Sequence, residues 1–262
     1  MSVRDDIVAG LRERRASALI ALDFDGTLAP LVPDPSRSRL VDGVRPALDA
    51  LAAQGARVAI ITGRDAATVV ELSGLGDLPG LDVEGIYGAQ RWHDGRVDSV
   101  DEPAEIARLR ERLPAVVDAA AGVWIEDKGL SLVVHARQAA DPAAAIDTLR
   151  APVTALGVDL GLEVHPGRDV LELRLPGYDK GGALTRLVDR YQPGAVLYVG
   201  DDVGDLPAFE VIRGLRSNGR PAWSGGIVSA DVPEVAEQAD VALDGPADVG
   251  VLLAQIADRD GR

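Results

Sequence analysis

The feature that most constrains this chain is an apolar segment that ends in two closely spaced aspartates. Residues 19–28 read Leu-Ile-Ala-Leu-Asp-Phe-Asp-Gly-Thr-Leu. Alternate side chains of an extended chain share a face, so Asp23 and Asp25 project from the same side, and Gly26 lets the backbone turn sharply after them. Open α/β folds bind ligands at the carboxyl edge of the sheet, where these carboxylates would lie. The alternative is an Asx-rich turn that caps a strand.

Two carboxylates this close together are suited to a hard cation, which prefers oxygen ligands. With the cation in place, one carboxylate can act as a nucleophile and the other as a proton donor. Asp23 and Asp25 are therefore candidate catalytic and metal-binding residues.

Three further polar segments adjoin predicted strands or helices. Thr62 ends the apolar run Ala-Ile-Ile-Thr, and Lys180 opens a predicted helix in Tyr-Asp-Lys-Gly-Gly-Ala. A third apolar run continues into Gly-Asp-Asp-Val-Gly-Asp, which contains Asp201, Asp202 and Asp205. Taken singly, the threonine can cap a helix, the lysine can be a solvated charge and the aspartates can form a turn.

Lysine is scarce in this chain. Of the 27 Lys and Arg residues, only Lys128 and Lys180 are lysines, so arginine serves wherever a surface needs positive charge. A compact ammonium with three donors can bridge a buried carboxylate and a phosphoryl oxygen where a planar guanidinium would not fit. This preference favours a specific role for each lysine over chance retention.

Length, charge and cysteine content narrow the class of protein. A chain of 262 residues can form two modules, since domains commonly hold about 100–150 residues. The chain contains no cysteine, which excludes disulfides and thiolate metal sites. Its net charge of −15 disfavours nucleic acid and anionic membranes. No signal peptide or membrane-length apolar run is evident, so we expect a soluble cytoplasmic monomer with neither nucleic-acid nor membrane partners.

The pattern of elements predicts two modules. Strands and helices alternate at both ends of the chain, which is typical of a doubly wound parallel sheet. The predicted strands of this part lie near 18–23, 57–62 and 195–199, and the helices near 44–54, 65–73, 180–191, 205–213 and 247–258. Between them the order becomes αββαββ, which predicts an antiparallel sheet backed by two helices, with helices near 103–120 and 141–156 and strands near 123–127, 130–135, 160–165 and 169–175. We expect a core of 1–98 and 177–262, an inserted module of 99–176, and hinges near Gly95 and Pro176-Gly177.

In order and spacing, these motifs resemble the signature set of the haloacid dehalogenase superfamily of phosphotransferases. The resemblance implies Mg²⁺ held by the Asp23 carboxylate, the Asp25 carbonyl and Asp201, with Asp202 and Asp205 orienting its waters. It also implies that Asp23 forms an aspartyl-phosphate and that Asp25 acts as acid and then base. Thr62 and Lys180 would neutralise the phosphoryl oxygens. The inserted module lies where the superfamily carries a substrate-covering cap.

Polar residues of the inserted module match a narrower family. Their positions resemble the cap pattern of trehalose-6-phosphate phosphatases at Glu126, Lys128, His135, Arg137, Gly167, Arg168 and Glu172. The sequences Thr-Leu-Ala-Pro at 27–30 and Tyr-Gly-Ala at 87–89 are also similar to that family. Without the resemblance, His135 or Glu172 can equally be a strand residue that pairs across a hairpin.

The resemblance implies a phosphatase that hydrolyses trehalose 6-phosphate to trehalose and phosphate. The charge of a small-molecule sugar phosphate would be met by a metal together with Arg64, Lys128, Arg137, Arg168 and Lys180. One departure concerns the fourth motif, in which Gly204 and Leu206 replace a hydroxyl and a carboxylate of the family pattern. The alternatives are a phosphatase for another sugar or polyol phosphate, a mutase of the same fold, and a catalytically silent sugar-phosphate sensor.

Overall fold

The computed structural model describes residues 2–99, 103–118, 120–167 and 169–258. The chain divides into two compact units. Unit 1 comprises Met1–Ser99 and Asp179–Arg262, and unit 2 comprises Val100–Tyr178. The inserted segment is therefore a separate structural unit.

The elements follow one another in chain order. The strands are β1 Ala18–Leu22, β2 Arg57–Ile61, β3 Asp82–Gly85, β4 Gln90–His93, β5 Arg96–Ser99, β6 Trp124–Asp127, β7 Ser131–His135, β8 Glu163–Gly167, β9 Val170–Arg174, β10 Ala195–Gly200, β11 Ala222–Ile227 and β12 Val241–Leu243. The helices are α1 Val3–Glu13, α2 Val44–Ala52, α3 Ala66–Ser73, α4 Ala104–Val117, α5 Pro142–Leu160, α6 Lys180–Tyr191, α7 Leu206–Ser217, α8 Pro233–Gln238 and α9 Pro246–Ala257. No helix of the described residues is both long and apolar enough to cross a bilayer.

Unit 1 is built on one sheet with the strand order β12-β11-β10-β1-β2-β3-β4-β5. The pairs from β12 to β3 are parallel, and β4 and β5 add an antiparallel hairpin at one edge. Every residue of β1 is buried, as expected for a strand covered on both faces. Ile20 and Leu22 pack with α1, α2 and α9, whereas Leu19 and Ala21 pack with α6 and α7. This is the predicted doubly wound fold.

Several elements of unit 1 escaped the sequence analysis. β11 contains two consecutive glycines and little alternation of polarity, so its sequence resembles a loop. The hairpin of β4 and β5 turns through Asp94 and Gly95, whose φ values are 49° and 79°. A two-residue turn of this sign matches the twist of paired strands. Gly95, predicted to be a hinge, therefore lies inside a hairpin of unit 1.

Unit 2 contains an antiparallel sheet with the order β6-β7-β9-β8, which confirms the predicted αββαββ module. Leu132, Val134, Leu171 and Leu173 form a core with apolar residues of α4 and α5. Because strand residues alternate between faces, the residues between these leucines and valines lie on the opposite face. That opposite face carries the polar side chains of the sheet.

Candidate active site

The catalytic motifs meet at the carboxyl edge of the sheet in unit 1. Asp23, Thr62 and Asp201 each follow the last residue of a strand, namely of β1, β2 and β10. These strands are neighbours and parallel, so their ends lie side by side. Lys180 is the first residue of α6 and is buried. The fold thus places side chains from four distant segments at one edge.

Three of the predicted aspartates form a tight cluster. Carboxylate oxygens of Asp23, Asp201 and Asp205 all lie within 4.8 Å of one another. Burial raises the pKa of Asp23 well above its ordinary range, with Lys180 opposing this rise and the two other carboxylates adding to it. Burial, assisted by the charge of Asp205, raises the pKa of Asp201 to about 6. In the protein alone, the ionised forms of Asp23 and Asp201 are therefore disfavoured.

Lys180 supplies positive charge at the centre of the cluster. Its Nζ lies 2.9 Å from Asp23 Oδ1 and 2.7 Å from Asp205 Oδ1. Burial by itself would lower the pKa of this lysine, but the carboxylates of Asp205 and Asp23 raise the pKa above its ordinary value. Lys180 is therefore a permanent cation that fixes the orientation of both carboxylates.

Asp205 is enclosed by four donors. Oδ1 accepts hydrogen bonds from Lys180 Nζ at 2.7 Å and from Tyr198 Oη at 2.5 Å. Oδ2 accepts from the backbone N–H groups of Asp201 and Asp202 at 3.1 and 3.0 Å. A carboxylate has about four acceptor positions, and these donors use all of them. The carboxylate of Asp205 thereby holds the loop that carries Asp201, and its role in orienting metal-bound water stays a prediction.

The remaining aspartates of the fourth motif differ in exposure. Asp201 is half-buried, and its Oδ1 accepts a hydrogen bond from Thr27 Oγ1 at 3.3 Å. Asp202 is exposed, and its Oδ1 accepts from Val203 N–H at 2.6 Å. A Cβ added to Gly204 would have no heavy atom within 4 Å, so the family's hydroxyl residue would find space at this position.

Gly26 allows the first and fourth motifs to approach each other. Its φ is +81°, in the left-handed region that favours glycine. A Cβ at this position would lie 1.9 Å from Oδ2 of Asp201. Both the turn and the close contact therefore require glycine.

Asp25 is held by two residues that lie far from it in sequence. Arg64 donates from Nη2 to Asp25 Oδ1 at 2.6 Å and from Nε to Oδ2. Ser38 Oγ, which is fully buried, donates to Oδ1 at 3.0 Å. The arginine was predicted to contact substrate; here its guanidinium binds Asp25 and the carbonyl of Pro35, the latter at 2.8 Å.

A left-handed turn supports the segment that contains Thr62 and Arg64. Ile86, Tyr87 and Gly88 have φ values of 47°, 56° and 86°, an uncommon conformation for the first two. The turn is anchored by hydrogen bonds of 2.9 Å from Ile86 N–H to the Arg64 carbonyl and from Tyr87 N–H to the Thr62 carbonyl. Strain of this kind persists only where surrounding contacts impose it.

The polar face of the sheet in unit 2 contains three of the other predicted residues, Glu126, His135 and Glu172. Glu126, Val133 and Glu172 are directly paired across β6, β7 and β9 and therefore share this face. Glu126 Oε2 lies 2.9 Å from Nε2 of His135, and Ser131 Oγ donates to Glu172 Oε1 at 2.7 Å. The two carboxylates thus have defined orientations.

The remaining predicted residues of unit 2 lie in or beside its turns. Lys128 is half-buried in the turn after β6, where its N–H donates to the Ser131 carbonyl at 3.0 Å. Arg137 is exposed after β7, and Gly167 ends β8. Arg168 lies outside the described residues.

Sequence analysis missed residues that act through tertiary contacts. Ser38, Tyr198 and Trp124 carry no recognisable motif, and their roles depend on neighbours that only the fold brings close. Trp124 stacks on His135 with ring centroids 4.0 Å apart and an interplanar angle of 4°. The sequence signal for Trp124 was its position two residues before Glu126, a predicted substrate-binding carboxylate.

The acidic cluster is suited to a hard divalent cation. Its donors are carboxylate oxygens, which Mg²⁺ and Ca²⁺ prefer, and the chain has no cysteine that would favour a softer metal. A cation would also favour the ionised forms of Asp23 and Asp201, whose pKa values are raised mainly by burial and further by the neighbouring carboxylates. The residues therefore fit a metal of this class.

Comparison with known sequences identifies the family. The family model that describes trehalose-phosphatases matches residues 21–247. The chain belongs to the trehalose-phosphatase family. The predicted resemblance is therefore confirmed at the level of the family.

Two individual relatives are similar to this chain over most of its length. A trehalose-phosphate phosphatase of Mycolicibacterium paratuberculosis is 33% identical over 92% of this chain and 62% of its own length. A protein of Mycobacterium tuberculosis strain H37Rv, described as an uncharacterized glycosyl hydrolase, is 38% identical over 74% of this chain but only 15% of its own length. This chain thus spans between about a seventh and three fifths of these relatives.

Solved structures share the fold over nearly the whole chain. A trehalose-6-phosphate phosphatase from Aspergillus fumigatus is similar with a TM-score of 0.77 and 27% identity, covering 97% of each chain. A haloacid dehalogenase-like hydrolase from Bacteroides thetaiotaomicron has a TM-score of 0.65, 16% identity and coverage of 91% of this chain and 98% of its own. The predicted haloacid dehalogenase-like fold is confirmed.

Proposed function

We propose that this chain is a Mg²⁺-dependent phosphatase that hydrolyses trehalose 6-phosphate to trehalose and phosphate. The observation that carries the proposal is the cluster of buried Asp23 and Lys180 with half-buried Asp201 at the carboxyl edge of the sheet, in a chain of the trehalose-phosphatase family. Asp23, Asp201 and the Asp25 carbonyl would hold the metal. When bound, Mg²⁺ would neutralise charge on the phosphoryl oxygens and so make phosphorus more electrophilic.

Asp23 is the proposed nucleophile. Its carboxylate attacks phosphorus in line, the bond from phosphorus to the sugar oxygen breaks, and an aspartyl-phosphate forms. Lys180 holds Oδ1 at 2.9 Å and thereby fixes the rotamer of the carboxylate before substrate arrives. Thr62 and the same lysine stabilise the phosphoryl oxygens as charge redistributes. Water then attacks the intermediate at phosphorus, which releases phosphate and restores the carboxylate.

Asp25 is the proposed acid and base. It gives a proton to the leaving sugar oxygen and later takes one from the attacking water. Arg64 and Ser38 hold its carboxylate from both oxygens, which restricts the directions from which a proton can be exchanged. The hydrogen bonds of Arg64 to Asp25 and Pro35 use three of its five N–H donors, so the arginine can hold Asp25 and still donate to a phosphoryl oxygen.

Unit 2 is the proposed specificity cap. Its polar face offers carboxylates at Glu126 and Glu172, and each carboxylate can accept a hydrogen bond from a sugar hydroxyl. Lys128, Arg137 and His135 would supply donors to the same sugar. A site that hydrogen-bonds hydroxyls discriminates strongly against analogues that lack them, because its own polar groups are then left unpaired.

Phosphate release from a panel of esters tests the proposal. We expect rapid hydrolysis of trehalose 6-phosphate, slower hydrolysis of glucose 6-phosphate, loss of both in EDTA and recovery with Mg²⁺. Asp23→Asn should abolish turnover with an unchanged melting curve. Asp42→Asn, at an exposed aspartate of unit 1 outside the four motifs, is the matched control and should retain activity. Turnover by Asp23→Asn would refute the covalent mechanism, and a wild type inert towards trehalose 6-phosphate would refute the assignment of substrate.

A further inference from the structure

Trp124 is an unusual residue on the polar face of unit 2. Aromatic residues make up 3% of the chain. Among those that the structure describes, Trp124 is the exposed one, at 41% of its accessible surface. A ligand that covers this indole would remove apolar surface from water. The place of the indole beside binding carboxylates identifies the kind of molecule that could do so.

The indole has one covered face and one open face. His135 stacks on it in parallel from the neighbouring strand β7, with centroids 4.0 Å apart. β6 is an edge strand of the sheet, so the ring face turned away from His135 has no strand beside it. Trp124 thus presents a flat apolar surface at the edge of a polar sheet.

Polar groups lie next to this surface. Glu126 is two residues further along β6 and therefore shares the face of Trp124, about 7 Å away along the strand. The same imidazole that stacks on the indole contacts Glu126 Oε2 at 2.9 Å. Trp124, His135 and Glu126 thus form one connected group in which an apolar plane adjoins an oriented hydrogen-bond acceptor.

A pyranose ring matches this combination. A glucose ring with equatorial hydroxyls has a flat face of C–H groups and a rim of hydroxyl donors. Aromatic side chains with a polar neighbour are suited to such a ligand, since the plane packs on the C–H groups while the polar group reads the rim. An inorganic phosphate has no flat apolar face, and a small aryl ester has a flat ring but lacks the rim of hydroxyl donors that Glu126 would bind.

We propose that the open face of Trp124 binds a pyranose ring of the substrate and that this contact selects disaccharide phosphates over smaller esters. The inference rests on the proposed function and adds a specificity-determining residue to it. His135 supports the indole from behind and orients Glu126 towards the ring hydroxyls. Trp124 takes no part in the chemical steps at Asp23.

Kinetics with two substrates test this role. In Trp124→Ala we expect the KM for trehalose 6-phosphate to rise about tenfold, with kcat changed less than about twofold. Hydrolysis of p-nitrophenyl phosphate should be unchanged. Trp124→Phe, which keeps a ring against His135, should raise the KM about threefold. Asp147→Asn, at an exposed residue of α5 outside the sheet, is the matched control and should leave both substrates unaffected.

Binding of the product provides a readout besides activity. Trehalose should change the tryptophan fluorescence of the wild type saturably, and Trp124→Phe should lose most of that change, because Trp92 and Trp223 lie in unit 1 and are buried or half-buried. An unchanged KM in Trp124→Ala would overturn the inference while leaving the proposed function intact. Equal losses on both substrates, with a lower melting temperature, would also overturn it and assign the indole to folding. A wild type that releases no phosphate from trehalose 6-phosphate would overturn both.

Discussion

Replacing Asp205 by asparagine tests whether this carboxylate holds the loop of Asp201 or binds the metal. The four donors around this carboxylate are Lys180 Nζ, Tyr198 Oη and two backbone N–H groups. Asparagine keeps one acceptor oxygen and replaces the other by an NH₂ group. Each carboxylate oxygen accepts from two of these donors. Whichever oxygen the NH₂ group replaces, two hydrogen bonds are therefore lost. The substitution changes almost no volume, so the loss reports hydrogen bonding rather than packing.

The magnitude follows from these contacts. A hydrogen bond to a charged group contributes roughly 1.5–3 kcal/mol, and two are lost. Relief of repulsion with Asp23 and Asp201 offsets part of this loss. We therefore expect Asp205→Asn to lower the free energy of unfolding by about 3 kcal/mol, or roughly 6–12 °C in melting temperature for a unit of this size.

Urea unfolding in EDTA is the decisive assay, because it removes any contribution from bound metal. Asp202→Asn is the matched control, since this exposed residue keeps its acceptor for Val203 N–H and should lose less than about 1 kcal/mol. If Asp205→Asn were as stable as the wild type in EDTA and lost only Mg²⁺ affinity, Asp205 would be a metal ligand and its role in holding the loop would be wrong.

Three other perturbations have defined outcomes. Tyr198→Phe removes one donor from Asp205 and should cost about 2 kcal/mol in urea unfolding, with Mg²⁺ affinity retained; a loss below about 0.5 kcal/mol would contradict the contact. Gly26→Ala places a Cβ against Asp201, so we expect Mg²⁺ titrations of activity to shift to at least about tenfold higher concentration, and an unchanged titration would show that the loop can move aside. Mg²⁺ at about 100 times its Kd should raise the unfolding free energy of the wild type by about 2.7 kcal/mol and that of Asp23→Asn by less; equal gains would place the metal elsewhere.

Much of the architecture could be predicted from local pattern. β1 is apolar at every position and is followed by Asp23, so the burial of the strand and the place of the aspartate at the carboxyl edge of the sheet followed from the sequence. The αββαββ order of unit 2 was likewise evident from alternation. β11 was not, because its glycines remove the pattern on which strand prediction depends.

The contacts of the site were harder to predict than its members. Asp23, Lys180 and Asp201 stand at strand or helix ends, where the rule for carboxyl edges applies. Arg64 and Ser38 contact Asp25 because their loops both lie at the carboxyl edge of the sheet. The spacing of these residues in the sequence does not predict these contacts. The saturation of Asp205 depends on Tyr198, an interior strand residue that looks like ordinary core.

The left-handed turn at Ile86 and Tyr87 affects both the stability of the fold and the rate of turnover. Each of these residues occupies a conformation that costs on the order of 1–3 kcal/mol, which the hydrogen bonds to the Thr62 and Arg64 carbonyls help to offset. Glycine at either position would relieve the strain and also free the loop that supports those residues. Variants selected for heat resistance at this turn should therefore turn over substrate more slowly, so stability and rate would be traded against each other at a single site.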